Sequence, residues 1–248
     1  MFNKHKKNFY SENGEDGVLL YILKKTKIIK NTKPLWCCEF GAWDGIHGSN
    51  TFNLVKNYNF NAVYIEGDKK KFLDLLETRK KFPKIIAFNK FISSKAQSLN
   101  SLDKILNKTN IVKNFDILSI DIDSFDLAVW KSLKNYRPKI VVIEINSRIA
   151  PGIRQIHSSE KQGNSFTSTV DYAKKNGYEL VCHTGNCIFL EKKILKKINF
   201  EKKYINKPEL LFDFLWLDKK ENIFKKIIKD YLPEFLLAYF RKIKNILI

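Results

Sequence analysis

The sequence predicts an α/β fold: an open, mostly parallel sheet closed by a C-terminal antiparallel hairpin, followed by a helical tail. Three observations carry this. Two short apolar runs, Leu35–Phe40 and Ala62–Ile65, are separated by a turn of small residues and enough chain for one helix, the pattern of a buried β-turn-α-β unit. Apolar runs of strand length recur at Lys84–Phe88, Phe115–Asp121 and Lys139–Ile145. The last two runs, Tyr178–His183 and Cys187–Leu190, are joined by Thr184-Gly185-Asn186, a hairpin signal.

Taken in order, residues 1 to 9 read as a frayed basic arm. Acidic residues in Ser11–Asp16 precede the apolar-periodic Val18, Leu19, Tyr21, Ile22 and Leu23, which suits a helix start. Ser49-Asn50-Thr51 opens the helix after the first strand, with Ser49 or Thr51 able to cap it. Lys69–Lys81 is a helix with Phe72, Leu73, Leu75 and Leu76 inward, broken by Pro83. Leu99, Leu102, Ile105 and Leu106 give Ser93–Lys113 the spacing of a core-facing helix. Asp126 stands where it caps a helix over Leu127–Leu133, and Asn164–Asn176 is a helix ended by Gly177.

The chemistry sits at the strand ends, where ligands of open α/β sheets bind. The first strand ends Glu39-Phe40-Gly41 and the second Glu66-Gly67-Asp68, so both acids are expected at one crevice. Glu66 is placed to accept hydrogen bonds from two vicinal ribose hydroxyls. Gly41 and Gly45 are expected to let backbone approach a ligand. The spacing Glu-x-Gly-x-x-x-Gly lacks the diphosphate loop of a dinucleotide site. A ligand with ribose but no phosphates therefore fits better than NAD. Asp121, Asp123, Asp126, Glu144 and Asn146 follow two later strands and offer oxygen ligands or bases. His157 lies on the long loop Ser147–Gly163 and has suitable chemistry for a base. Arg148 and Arg154 on that loop suit a phosphate grip or a plain charged surface.

EFGAWDG with a downstream YIEGD resembles the first two motifs of class I S-adenosylmethionine-dependent methyltransferases. The wider set, YSENGEDG, SNT, LSIDIDSFD and VVIEIN, resembles the FkbM-type O-methyltransferases and their relatives in bacterial surface-polysaccharide clusters, over about Tyr10 to Glu191. The resemblance implies a Rossmann-like class I methyltransferase sheet and S-adenosylmethionine as cofactor. It implies that Glu39, Gly41, Ala42, Asp44, Ser49, Thr51, Glu66, Gly67, Asp68, Asn89 and Asp121 line the cofactor, with Asn89 at the adenine. It also brings Glu12 or Asp16 near the cofactor mouth, as an alternative to simple helix capping. Asp121, Asp123 or His157 would handle the acceptor proton. Asp123, Glu144 and Asn146 match the acidic placement of metal-dependent sugar O-methyltransferases, implying Mg²⁺ or Mn²⁺, although an Asn stands where a second carboxylate is usual. The implied acceptor is a sugar hydroxyl, on a nucleotide-activated sugar or a capsular or surface-polysaccharide precursor. Alternatives are methylation of RNA or a phosphoryl-type group, or a non-catalytic basic module for nucleic acid or anionic membrane.

The chain has 248 residues and a formal net charge of +19, a field that attracts polyanions. Its lysines are spread throughout and no RNA-binding motif accompanies them, so no dedicated nucleic-acid partner is expected. The expected organisation is an N-terminal arm and helix (1–34), the catalytic domain (35–191) and a basic amphipathic extension (192–248). Two helices are expected in that extension, at Glu221–Leu232 and Glu234–Ile248, suited to packing, homo-oligomer formation or peripheral attachment to an anionic membrane. No apolar run is long enough to span a bilayer and the N-terminus lacks an apolar signal region, so the expected location is cytoplasmic. The four cysteines, Cys37, Cys38, Cys182 and Cys187, fit no zinc spacing and are expected to be buried thiols.

Overall fold

The computed structural model describes residues 2–30 and 32–217. Strands β1 (Trp36–Phe40), β2 (Asn61–Glu66), β3 (Ile85–Asn89), β4 (Ile117–Ile120), β5 (Ile140–Glu144), β6 (Tyr178–His183) and β7 (Asn186–Glu191) form one sheet in the order β3-β2-β1-β4-β5-β7-β6. The first five pair in parallel, and β7 runs antiparallel to both β5 and β6. This is the architecture read from the sequence.

Helix α1 (Glu15–Lys25) precedes the sheet, α2 (Phe52–Tyr58), α3 (Lys69–Lys81), α4 (Leu102–Leu106), α5 (Asp126–Ser132) and α6 (Phe166–Lys175) connect the strands, and α7 (Lys192–Leu195) and α8 (Lys202–Asn206) follow the hairpin. Strand residues alternate between two apolar layers. Cys38, Phe40, Val63, Ile65, Leu118 and Ile120 pack on one face with α4 and α5. Cys37, Ala62, Tyr64, Ile117 and Val142 pack on the other with α1 and α2. Burial from both sides explains why β1, β4 and β5 read as largely apolar runs. Asp68 caps α3, accepting from the N–H groups of Lys70 and Lys71, and Ser165 caps α6 through Ser168.

Three expectations fail here, the first being Leu73 of α3, expected inward but 57 % exposed. The polar stretch 93–113 holds only the five-residue α4; Leu99 is 80 % exposed, and Ser93 instead bridges to Ser101. The basic arm is docked rather than frayed. Phe2–His5 forms a 3-10 turn, Phe2 is buried, and the Cys182 thiol on β6 reaches Asn3 Oδ1 at 2.8 Å. Residues after β7 cover the same sheet edge: Tyr204, Leu211 and Phe212 are buried in the core, and Lys174 Nζ donates to the Ile205 carbonyl. All four cysteines are buried free thiols.

The chain divides into two compact units, Met1–Asp213 and Phe214–Ile248. Of the second, the structure describes a 3-10 turn at Phe214–Trp216. The two helices expected at 221–232 and 234–248 lie outside the described residues. Among the described residues no helix is long and apolar enough to cross a membrane.

Candidate active site

The crossover order places the carboxyl ends of β1, β2 and β4 side by side, and the acids of the sequence motifs lie there. Glu66 ends β2 and is 7 % exposed. Its Oε2 accepts the Trp43 N–H at 2.7 Å and its Oε1 the Asp68 N–H at 2.8 Å. Beside it, between the ends of β2 and β3, opens a cavity of about 470 Å³ lined by Gly67, Asp68, Lys69, Asn89, Lys90, Phe91 and Asn100. Asn89 Nδ2 donates to the carbonyls of Glu66 and Gly67, which orients its amide at that wall. Phe91 stands over Gly67, and any Cβ at Gly67 would collide with its ring. Three residues expected against the adenosyl group, Gly67, Asp68 and Asn89, therefore line one hollow next to Glu66. The backbone N–H groups of Lys70 and Lys71 pull the Asp68 carboxyl below its usual range, Lys71 most.

Glu39 does not behave as expected. It is 4 % exposed and its carboxylate is occupied from within the protein: Ser49 Oγ donates at 2.7 Å, Thr51 Oγ1 at 2.5 Å and the Asn50 N–H at 2.8 Å. Ser49 Oγ also accepts the Phe52 N–H at the start of α2, and the Tyr64 hydroxyl sits 3.0 Å from Thr51 Oγ1. Glu39, Ser49 and Thr51 are thus spent on one another, bracing the turn that opens α2 against β1. Burial pushes the Glu39 carboxyl above its usual range, and the Thr51 and Ser49 hydroxyls act against that. Asp44 is similarly engaged: Oδ1 accepts from the N–H groups of Ile46 and His47, and Oδ2 meets His47 Nδ1.

The glycine requirement also has another cause. Gly41 has φ +75, and a Cβ there would collide with the Asp121 carbonyl oxygen. At Gly45, φ +76, it would meet Leu75 and Tyr64. Both glycines admit neighbouring protein rather than ligand. Ala42 is buried, its N–H donating to the Ile65 carbonyl at 3.2 Å.

At the ends of β4 and β5 the carboxylates crowd. Asp121 is pushed up to about 8, first by burial and then by Asp126, Asp123, Glu39 and Glu12. Glu144 is pushed up to about 9, first by burial and then by Asp121. Glu144 Oε2 accepts the Asp123 N–H at 3.0 Å, and Asp123 holds a left-handed φ of 58. Asp126 folds back on its own turn, accepting from Ile122 and Ser124. Of this set Asp121 is half-buried and Asp123 exposed.

Of the three residues expected to hold a metal ion, Asp123, Glu144 and Asn146, the last is engaged elsewhere. Asn146 uses its side chain inside its own loop, Nδ2 donating to the Gln162 carbonyl and Oδ1 accepting from Arg148 N. Among the described residues no group of three or more His, Cys, Asp or Glu is placed to hold a metal ion.

His157 stands beside Phe125, ring centroids 4.5 Å apart and edge to face. Its Nδ1 accepts the Gly163 N–H at 3.0 Å. The neutral ring therefore carries its proton on Nε2, which makes it a donor there and not a base. Asn164 Oδ1 accepts from His157 N and its Nδ2 donates to the Ser124 carbonyl at 3.4 Å, stitching the 147–163 loop to the β4 turn. Arg154 pairs with Asp171 on the surface, and Arg148 is exposed on the same loop. Sequence reasoning missed Phe91, Phe125 and Asn164. A polar Asn next to Gly163 in a long loop was the available signal for the last; the two phenylalanines carry none.

A seven-stranded sheet of this order with its one antiparallel strand, and acids gathered at the ends of β1, β2 and β4, defines a class I methyltransferase. The model of the methyltransferase FkbM domain matches residues 43–180. The chain belongs to the FkbM methyltransferase family and is an S-adenosylmethionine-dependent methyltransferase. No curated protein matches it. Among solved structures it is similar to M. capricolum TrmK in complex with S-adenosylhomocysteine, at 16% identity and TM-score 0.46 over 97% of this chain and 94% of that one. It is also similar to the N-terminal domain of EvdMO1 in the presence of S-adenosylhomocysteine and D-fucose, at 9% identity and TM-score 0.46 over 73% and 83%. A third is the precorrin-6y C5,15-methyltransferase from Geobacter metallireducens GS-15, at 13% identity and TM-score 0.41 over 69% and 86%.

Proposed function

We propose that the protein transfers a methyl group to a sugar hydroxyl, on a nucleotide-activated sugar or a surface-polysaccharide precursor. What supports this is an exposed aromatic ring on the same turn after β4 as two carboxylates. Phe125 is 48 % exposed, stands edge to face with His157, and follows Asp121 and Asp123 on the turn after β4. An aromatic face suits the C–H face of a sugar ring, and carboxylates suit its hydroxyls.

In this reading the adenosyl group occupies the hollow beside Glu66, Gly67, Asp68 and Asn89. The cofactor supplies an electrophilic methyl group on a sulfonium. Asp121 would take the proton of the acceptor hydroxyl, readying its oxygen for the methyl group that bound S-adenosylmethionine would supply, with S-adenosylhomocysteine as the leaving product. His157 Nε2–H donates to an acceptor oxygen and orients it. Glu144 steadies the turn by accepting the Asp123 N–H. The test is transfer of labelled methyl to a panel of nucleotide sugars and to RNA. Label in a sugar, reduced about 100-fold or more in Asp121→Asn, is expected; label confined to RNA would overturn the acceptor.

The net charge of +19 favours a second reading, an RNA or other polyanionic acceptor. Binding to RNA that weakens steeply between low and physiological salt would support it. Attachment to an anionic membrane through residues beyond 217, and self-association, belong to the same proposal. Vesicle sedimentation and light scattering test them.

A further inference from the structure

Three segments far apart in the chain meet at one end of the sheet. Phe2, Ile28 and Leu195 are buried in one apolar layer, with Tyr21, Ile198 and Phe200 packed against it. The Phe2 ring lies 5.4 Å from Tyr21 and 5.6 Å from Phe200, and Phe200 lies 5.8 Å from Tyr204. These four rings wall a second cavity, of about 90 Å³, completed by Lys25, Asn199 and Glu201.

This end is not the catalytic one. Glu144, at the carboxyl end of β5, pairs with Asn186, and Glu15 at the start of α1 accepts from the nearby Thr184 hydroxyl. From there α1 carries the chain about 16 Å to Lys25 at its other end. β7 likewise runs away from the hairpin turn, and Lys192 just past it donates its N–H to the Gly177 carbonyl before β6. The cavity therefore lies at the amino ends of the parallel strands, and the crevice at their carboxyl ends.

The charge around the cavity has one sign. Residues 2–7, 24–30 and 193–203 expose Lys4, Lys24, Lys25, Lys196, Lys197 and Lys202. The three segments hold one acid, Glu201, and Lys203 already pairs with it at 2.7 Å. Among the described residues none of those six lysines forms an ion pair. Unpaired like charges gathered on one face repel one another, and a negatively charged partner relieves that repulsion.

Two features favour lipid over nucleic acid. The three segments carry no arginine, the residue whose planar fork grips phosphate and guanine. A cavity of roughly 150 Å³ takes a single benzene ring, so the smaller one here has no room for a nucleobase. Lysine clusters are drawn to the anionic headgroup layer, and tyrosines settle at that depth. We propose that this face docks the protein on an anionic lipid bilayer, the lysines meeting headgroup phosphates. The catalytic crevice then opens toward water, away from the bilayer. Neither the adenosyl placement nor residues beyond 217 enter this docking.

The test is sedimentation with vesicles of phosphatidylcholine, alone or mixed with phosphatidylglycerol, at physiological salt. The full chain is expected to bind the mixed vesicles only. Lys25→Glu, Lys196→Glu and Lys202→Glu together are expected to weaken this about tenfold or more. Lys104→Glu, Lys108→Glu and Lys113→Glu make the same change in charge at and after α4, on the other face of the sheet. They are expected to weaken it less than about threefold. Equal losses in the two triple variants, or a wild type that ignores phosphatidylglycerol, overturn the proposal. Single-stranded RNA held more tightly than the vesicles at the same salt, and lost with the first three lysines, overturns the choice of lipid. If the first triple variant fails to fold, hydrogen exchange of the wild type decides. Vesicles are expected to slow exchange over 24–30 and 193–203, and slowing confined to other segments overturns the assignment.

Discussion

Glu66 holds the backbone N–H of Trp43 at 2.7 Å, and Trp43 sits at a left-handed φ of 48 that a bulky residue rarely takes. One carboxylate at the end of β2 thus fixes the turn that follows β1, next to the hollow proposed for the adenosyl group. Glu66→Ala is expected to weaken S-adenosylhomocysteine binding by about tenfold or more, the loss of a charge-assisted hydrogen bond or two. Calorimetry measures it; affinity equal to wild type would remove Glu66 from the site.

Glu39 should respond in the opposite way. Its carboxylate braces Ser49, Asn50 and Thr51, so Glu39→Ala leaves several buried donors unpaired. The expected loss is about 3 kcal/mol or more of unfolding free energy in urea. Cofactor affinity of the folded fraction should change by less than a few-fold. A stable variant that no longer binds cofactor would mean the carboxylate reaches the ligand after all.

Gly41→Ala places a methyl against the Asp121 carbonyl at a φ of +75. Neither backbone can yield without shifting β1 against β4. A loss of about 2 kcal/mol or more is expected, read from the urea midpoint. A neutral substitution would show that the two strand ends are not in contact.

His183 gives the protein an acid-sensitive joint. It is fully buried, its Nδ1 accepts the Asp213 N–H at 3.0 Å, and its Nε2 lies 2.9 Å from Ser147 Oγ, which donates to the Gly185 carbonyl. Burial lowers it to about 3 from its usual 6.5. The unfolded chain then binds the extra proton first as pH falls, so the contribution is complete above about 6.5 and declines toward 3. Wild type should lose up to about 1.4 kcal/mol per pH unit more than His183→Gln over that window. Parallel stability curves for the two would refute a neutral buried imidazole. Several raised carboxyls, Asp121 and Glu144 among them, work in the other direction, which is why the difference between variants is the quantity to measure.

The strands were legible because burial on both faces writes them as apolar runs, and the hairpin because one short turn joins its two. What defeated the sequence was competition between local and distant partners. Leu99 shares helical spacing with Leu102 and Ile105, yet only the latter two find the sheet. Phe2 looked like part of a charged arm because its packing partners, Tyr21 and Phe200, are far along the chain. The acids were found by position but not by role. Whether Glu39 meets a ligand depends on the Ser49-Asn50-Thr51 turn, whose hydroxyls and N–H groups reach it first. His157 was visible as a loop imidazole, but the Gly163 N–H that sets its tautomer belongs to the far end of the same loop.

The inward-turned Glu39 has a practical consequence for redesign. Support of the first strand rests on Glu39, Ser49 and Thr51, while the proposed nucleoside contacts are other residues, so these can be rebuilt without dismantling the strand. Phe91, 76 % exposed over Gly67, is the partition to trim when a cofactor analogue with a bulkier base is to be admitted, because it contributes little to the core and borders the hollow directly.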